Sequence, residues 1–208
     1  MSEFKTAQET FWAGEFGIDY IGRNDSKELL ASNLNFFSNA LRNADKISSC
    51  IEFGANIGMN MRAIKLLHPA VSLSAIEINK TAAEQLAAVI GEPNVFNGSI
   101  FDYPADQQFD LTLIKGVLIH INPEMLPTVY EKLYNASGKY ILVCEYYNPS
   151  PVAISYRGHE DRLFKRDFAG EMLEKYSDLK LLDYGFSYKR DTVFPQDDIT
   201  WFLMEKKK

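Results

Sequence analysis

Between residues 47 and 147, short apolar runs of strand character alternate with segments of helical spacing. Residues 47–53 read as a strand and 60–67 as a helix. Residues 71–79 read as a strand and 80–91 as a helix closed by Gly91, the residue type that tolerates a left-handed C-terminal cap. A short strand lies within 94–102 and another within 109–121, followed by a turn. Pro123 opens a helical stretch that Pro127 kinks or restarts. Residues 139–147, "KYILVCEYY", form a fifth strand that is apolar on both faces, as a covered parallel strand must be. Parallel neighbours need crossovers of a dozen or more residues, and helices supply them here.

The end of the chain breaks the alternation. Residues 164–176 are helical, and 179–190 and 198–206 are strands joined by the short link "DTVFPQD". A link of that length makes the last two strands antiparallel neighbours. The expected fold is α/β: a Rossmann-like, seven-stranded, mostly parallel sheet with a C-terminal antiparallel strand pair and helices on both faces. The 208 residues suit one domain. Ser26 is a natural N-cap for a helix over 26–43, where Leu29, Leu30, Leu34, Phe37 and Leu41 recur at helical spacing. Residues 1–24, with "FWAGEFGIDYIGRN", are too aromatic for a disordered tail and read as an N-terminal lid.

Composition narrows the partners. The formal net charge is −6, which disfavours a polyanionic substrate such as nucleic acid. No run approaches the 18 apolar residues of a membrane span, and the N-terminus lacks a secretory pattern, so a cytoplasmic protein is expected, as a monomer or homodimer. Cys50 and Cys144 sit in apolar strands and read as buried thiols, and two cysteines with three scattered histidines offer no metal site.

The turn after the first strand is the chemical clue. "CIEFGANIGMN" contains G-x-x-x-G, Gly54 to Gly58, where a dinucleotide fold carries G-x-G-x-x-G. Ala55 and Asn56 stand where backbone would approach a pyrophosphate. A phosphate-free cofactor does not need that space. S-adenosylmethionine fits, its amino and carboxylate groups suiting a turn at a helix N-terminus, with Glu52 accepting hydrogen bonds near the amine. Glu77 closes the second strand nineteen residues beyond Gly58, where an acid holds ribose hydroxyls. Ser99 would meet the adenine edge, with Ile78 and Ile100 on its faces. Phe16, Tyr20, Arg23 and Asn24 of the lid would lie near the methionine end. Taken singly, the bland readings stand beside these: Glu77 as a solvated acid, Ser99 as a turn residue, Phe11 and Trp12 as a hydrophobic staple. It is their order along one frame that favours the cofactor.

On these residues the chain resembles class I S-adenosylmethionine-dependent methyltransferases, over about residues 47–205. A narrower resemblance rests on "FWAGEFGIDYIGRN", "EYYNPSPVAISYRGHEDRLFKRDFAGEML" and "FPQDDITWFLMEK". These look like the pseudaminic acid biosynthesis-associated methylase family. That resemblance implies a substrate at or near a nine-carbon acidic sugar.

Catalytic candidates lie after the fourth and fifth strands. Lys115 would sit beside the methionine part of the cofactor, and His120 is either a base or a core histidine. Glu145, Tyr146 and Asn148 end the fifth strand. A buried Glu145 needs partners or its pKa rises; it orients a substrate amine, acts as a base, or is a structural acid paired with Arg157 or Arg166. Arg157 suits a substrate carboxylate or a surface ion pair. The leading expectation is a methyltransferase acting on a small polar metabolite. Competing readings are a cyclase or lyase releasing methylthioadenosine and a cyclic amino acid, a non-catalytic cofactor-binding protein, and, last, a nicotinamide dehydrogenase.

Overall fold

A computed structural model describes residues 4–22, 25–156 and 158–207. Seven strands form one sheet in the order β3-β2-β1-β4-β5-β9-β8. They are β1 (Ser49–Phe53), β2 (Ser72–Glu77), β3 (Val95–Asn97), β4 (Phe109–Lys115), β5 (Ser137–Glu145), β8 (Leu179–Ser187) and β9 (Ile199–Lys206). The first five are parallel, and β9 runs antiparallel between β5 and β8. The expected fold class is the one observed.

Helices cover both faces because the strands are apolar on both. One face carries α3 (Lys27–Ala40), α4 (Met59–Leu67) and α5 (Lys80–Ile90). There Phe36, Phe37, Ile64 and Leu86 pack on Cys50, Leu111, Leu142 and Trp201. The other face carries α6 (Leu126–Ala136) and α7 (Phe168–Lys175). There Val129, Leu133 and Met172 pack on Ile51, Ile114, Val143 and Met204. Each such side chain, buried, contributes about 1.5–3 kcal/mol relative to exposure. Both cysteines are buried on the α3 face.

Local signals place most helix ends. The Ser26 hydroxyl accepts the Leu29 N–H at 3.0 Å. Asn79 caps α5 through the Ala82 N–H at 3.2 Å, and Gly91 ends it at φ 90°. Pro127 does restart the helix: a 3₁₀ turn over Pro123–Met125 gives way to α6 at Leu126.

Two expectations change. The stretch between the fifth strand and the next helix, to which the sequence assigns no element, contains a hairpin of β6 (Val152–Tyr156) and β7 (His159–Lys165) outside the main sheet. Most of β6 is exposed, so no burial alternation marks it in sequence. Because Phe164 and Lys165 belong to β7, α7 starts later than periodicity suggests, at Phe168 behind an Asp167 cap. Ahead of the sheet, the N-terminal aromatic segment folds into α1 (Ala7–Ala13) and α2 (Glu15–Ile21).

Candidate active site

The chain runs from β1 outward through β2 to β3 and then returns to place β4 on the other side of β1, so a crevice opens at the carboxyl ends of β1 and β4. A cavity of about 600 Å³ fills it. Its floor is the β1–α4 turn and the ends of β2, β4 and β5. Its roof is α1 and α2.

The turn is built around one carboxylate. Gly54 adopts φ 79° and Gly58 φ 82°, with Asn56 between them also left-handed at φ 49°. Glu77 reaches under this bend. Its Oε2 accepts the Asn56 N–H at 2.7 Å and its Oε1 the Asn79 N–H at 2.7 Å. Burial raises its pKa, opposed by the backbone N–H groups of Asn79, Asn56 and Ile78. Glu77 thus ties the β2 end to the turn while still lining the cavity. The glycines differ in purpose. A Cβ on Gly54 would strike Val117 at 2.6 Å, and one on Gly58 would strike Leu86 at 2.8 Å. Gly54 lines the cavity, whereas Gly58 serves the packing of α5 against α4.

Two further acids are buried at the strand ends. Glu52 Oε1 accepts from Asn60 Nδ2 at 2.6 Å, and its Oε2 has no hydrogen-bond partner. Burial pushes Glu52 up to about 7, against the pull of Asn60 and Lys115. Glu52 does not line the cavity; Asn60 does. Lys115 lines it at the end of β4, its Nζ 5.5 Å from the Phe36 ring centroid. Burial lowers the Lys115 pKa, opposed by Cys144, Glu52, Asp197 and Glu145. Glu145 Oε1 accepts the N–H groups of Val117 at 2.9 Å and Leu118 at 2.8 Å, and its Oε2 is unpaired. Burial pushes it up to about 7. It stands behind the β4 loop and outside the main cavity, so it shapes the wall without facing the space.

At the β3 end, Ser99, Ile100 and Ile78 line the cavity as expected. Ser99 Oγ donates to Glu9 Oε1 from α1, and accepts the Phe101 N–H at 3.0 Å. Glu9 also closes a capping box with Thr6. That box is visible in the sequence as T-x-x-E, but its bond to a serine ninety residues away is not. Tyr20, His120, Tyr146, Ala55 and Asn56 also face the cavity.

The lid aromatics exchange the roles expected of them. Trp12 lines the cavity, its ring 4.6 Å from His120. Phe16 stacks on Phe11 at 4.1 Å and stays out of the lining, because α2 turns its ring back onto α1. Asn148 also lies outside, its amide donating to the Ser150 carbonyl. Arg23, Asn24 and Arg157 lie outside the described residues. Sequence reasoning missed the far end of the cavity. There Asn33 of α3 accepts from Gln196 Nε2 at 2.8 Å, and Asp197 joins the lining together with Tyr146. Asn33 and Gln196 are buried polar residues, and polarity within an otherwise apolar helix face is the one sign Asn33 gives in sequence.

No protein-family model matches the chain, and no curated protein sequence matches it either. Solved structures do. The 1,6-didemethyltoxoflavin-N1-methyltransferase of Burkholderia thailandensis, with bound 1,6-didemethyltoxoflavin and S-adenosylhomocysteine, superposes at a TM-score of 0.69 with 12% identity, covering 100% of this chain and 94% of that one. Magnesium protoporphyrin IX methyltransferase from Synechocystis PCC 6803 with bound S-adenosylmethionine gives 0.65 and 11%, covering 99% and 100%. The plantazolicin methyltransferase in complex with S-adenosylhomocysteine gives 0.64 and 13%, covering 97% and 95%. At these identities the likeness is one of architecture, and the chain has the Rossmann-like fold found in these methyltransferases.

Proposed function

We propose that the protein is a class I S-adenosylmethionine-dependent methyltransferase acting on a small polar metabolite. The observation that carries this reading is the position of the Glu77 carboxylate. It is bonded into the glycine turn at the N-terminus of α4, where a dinucleotide enzyme would hold pyrophosphate. A pyrophosphate there would meet a buried carboxylate. A nucleoside bearing a sulfonium and no phosphate would not, and the lone pairs of Glu77 left after its backbone bonds can accept ribose hydroxyls. The hydrophobic pair Ile78 and Ile100 suits the adenine faces, with Ser99 and Glu9 at its edge. The shared fold of neighbours crystallised with this cofactor or its demethylated product supports the same assignment.

Bound there, S-adenosylmethionine supplies an electrophilic methyl group whose carbon–sulfur bond breaks with the electron pair kept by sulfur. The chain's own part is alignment and exclusion of water. Trp12 and Tyr20 roof the site, Lys115 and Asn60 flank the methionine end, and His120 is positioned in the wall to take a proton from a hydroxyl or amine. Glu145 acts at one remove, holding Val117 and Leu118 in place. Pseudaminic or another nonulosonic acid is the acceptor family suggested by the sequence segments quoted above, and it is tested by an acceptor screen. Closure by an aromatic roof also suits intramolecular cyclisation of the cofactor. Methylthioadenosine released without any acceptor would mark that reaction.

Calorimetry of the apoprotein decides the central point. Heat with S-adenosylhomocysteine and none with NADH is expected. Heat with NADH alone would overturn the assignment.

A further inference from the structure

β8 is the edge strand of the sheet, and one of its two sides is bare. Strand alternation separates them. Asp183 and Gly185 take the α3 side. Asp183 accepts from Arg42 at 2.9 Å and from Asn43 at 2.8 Å, and Gly185 abuts the Trp201 indole. Tyr184, Phe186 and Tyr188 take the other side. The α7-side core includes Leu179 at the start of β8 but none of these three rings. Tyr184 is 63% exposed and Phe186 59%. Outward positions of a strand covered on one side are ordinarily polar.

The rings form a row across three strands. Tyr147, just beyond β5, lies 5.9 Å from Phe202 of β9. Tyr184 stacks on Phe202 at 6.4 Å, and Phe186 lies 6.3 Å from Tyr188. Leu181, paired in register with Met204, prolongs the row toward α7. Val193 and Phe194, also exposed, follow in the link beyond Tyr188. With about 150–250 Å² for a whole aromatic side chain, these exposures amount to roughly 700 Å². The largest apolar patch on a typical monomer is about 300–600 Å². Each partner in a standard protein–protein interface gives up about 800 Å².

We propose that this aromatic face is a homodimer interface, covered by the same face of a second copy of the chain about a two-fold axis. A two-fold axis sets one patch against itself. Row then packs on row, as the inner faces of two stacked sheets do. Aromatic residues are also what the centres of interfaces are enriched in. The area is what a stable dimer needs. Addition of a peptide strand at the β8 edge fits less well. Asp183 Oδ1 accepts the Tyr184 N–H at 2.9 Å and its carboxylate is tied to Arg42, so charge blunts that edge. A membrane surface also fits less well, because the formal net charge of −6 opposes anionic headgroups. The proposal does not depend on the cofactor reading.

Sedimentation equilibrium tests it. Interfaces of this size reach micromolar constants at their weakest, so at about 100 μM the protein should sediment as a dimer. Tyr184→Lys combined with Phe186→Lys brings like charges together across the axis. It should raise the dimer dissociation constant at least about a hundredfold. Both side chains are exposed, so the far-ultraviolet spectrum should not change. Leu66→Lys, at an exposed position on α4, should leave the dimer intact. In the unaltered protein, hydroxyl-radical labelling of Tyr184 and Phe186 should fall several-fold from dilute to concentrated solution, while labelling of Leu66 holds. A monomer at the higher concentration overturns the proposal, and a monomer that floats with phosphatidylcholine vesicles assigns the face to lipid instead. A dimer that survives both lysines, or labelling indifferent to concentration, overturns it equally.

Discussion

Glu145 shows how a single side chain can be legible in sequence and misjudged in role. An acid at the end of an apolar strand must be buried, and it is 3% exposed. It faces the β4 loop, however, where its Oε1 gathers two backbone N–H groups while its Oε2 stays unpaired. Burial lifts its pKa from 4.5 to about 7. A raised carboxyl pKa means that the folded state favours the proton. Its stabilising contribution is full below about pH 4.5 and is lost as pH rises through about 7, up to roughly 3 kcal/mol. Glu145→Gln keeps the acceptor oxygen and cannot ionise. Urea denaturation should therefore show the variant gaining on the parent by about 2–3 kcal/mol between about pH 5 and pH 8.5. A gap that stays constant with pH would show that Glu145 does not titrate in that range. Glu77 is the converse case: its distance from the glycine turn reflects one β-α-β unit, and it does line the cavity beside that turn.

At the scale of elements, periodicity found those whose faces are buried and missed those whose faces are not. The strands of the main sheet and helices α3 to α7 announce themselves because the core imposes its period on them. The β6–β7 hairpin does not, since most of β6 is exposed and its partner is the neighbouring strand alone. Helices α1 and α2, seven residues each, are far too short to persist by themselves. They are held by Glu9 on Ser99 and by Asn79 Nδ2 on the Trp12 carbonyl at 3.2 Å. Neither of the two large cores includes a residue from this segment. Removing residues 1–25 should therefore leave the sheet folded, with its far-ultraviolet spectrum largely kept, and lower S-adenosylhomocysteine affinity by at least about tenfold in calorimetry. Unchanged affinity would show that the roof takes no part in binding.

At the scale of the molecule, both cores share one sheet, so the two faces cannot unfold independently. A single cooperative thermal transition is expected. S-adenosylhomocysteine at about a hundred times its dissociation constant should stabilise by roughly 2.7 kcal/mol, raising the midpoint by about 5–10 °C. Two separated transitions, or a midpoint indifferent to the ligand, would contradict the shared sheet or the site respectively.

The strand–helix alternation, the antiparallel finish and the acid set beyond a glycine turn are properties of the sequence alone, because each follows from local period and short spacing along the chain. Sequence could not say which side chains meet across the cavity. That Glu9 bonds Ser99, that Asn33 bonds Gln196, and that Trp12 faces His120 while Phe16 turns away depend on contacts between residues far apart in the chain. Such contacts follow from how helices settle on the sheet, and packing decides that only once the whole sheet exists.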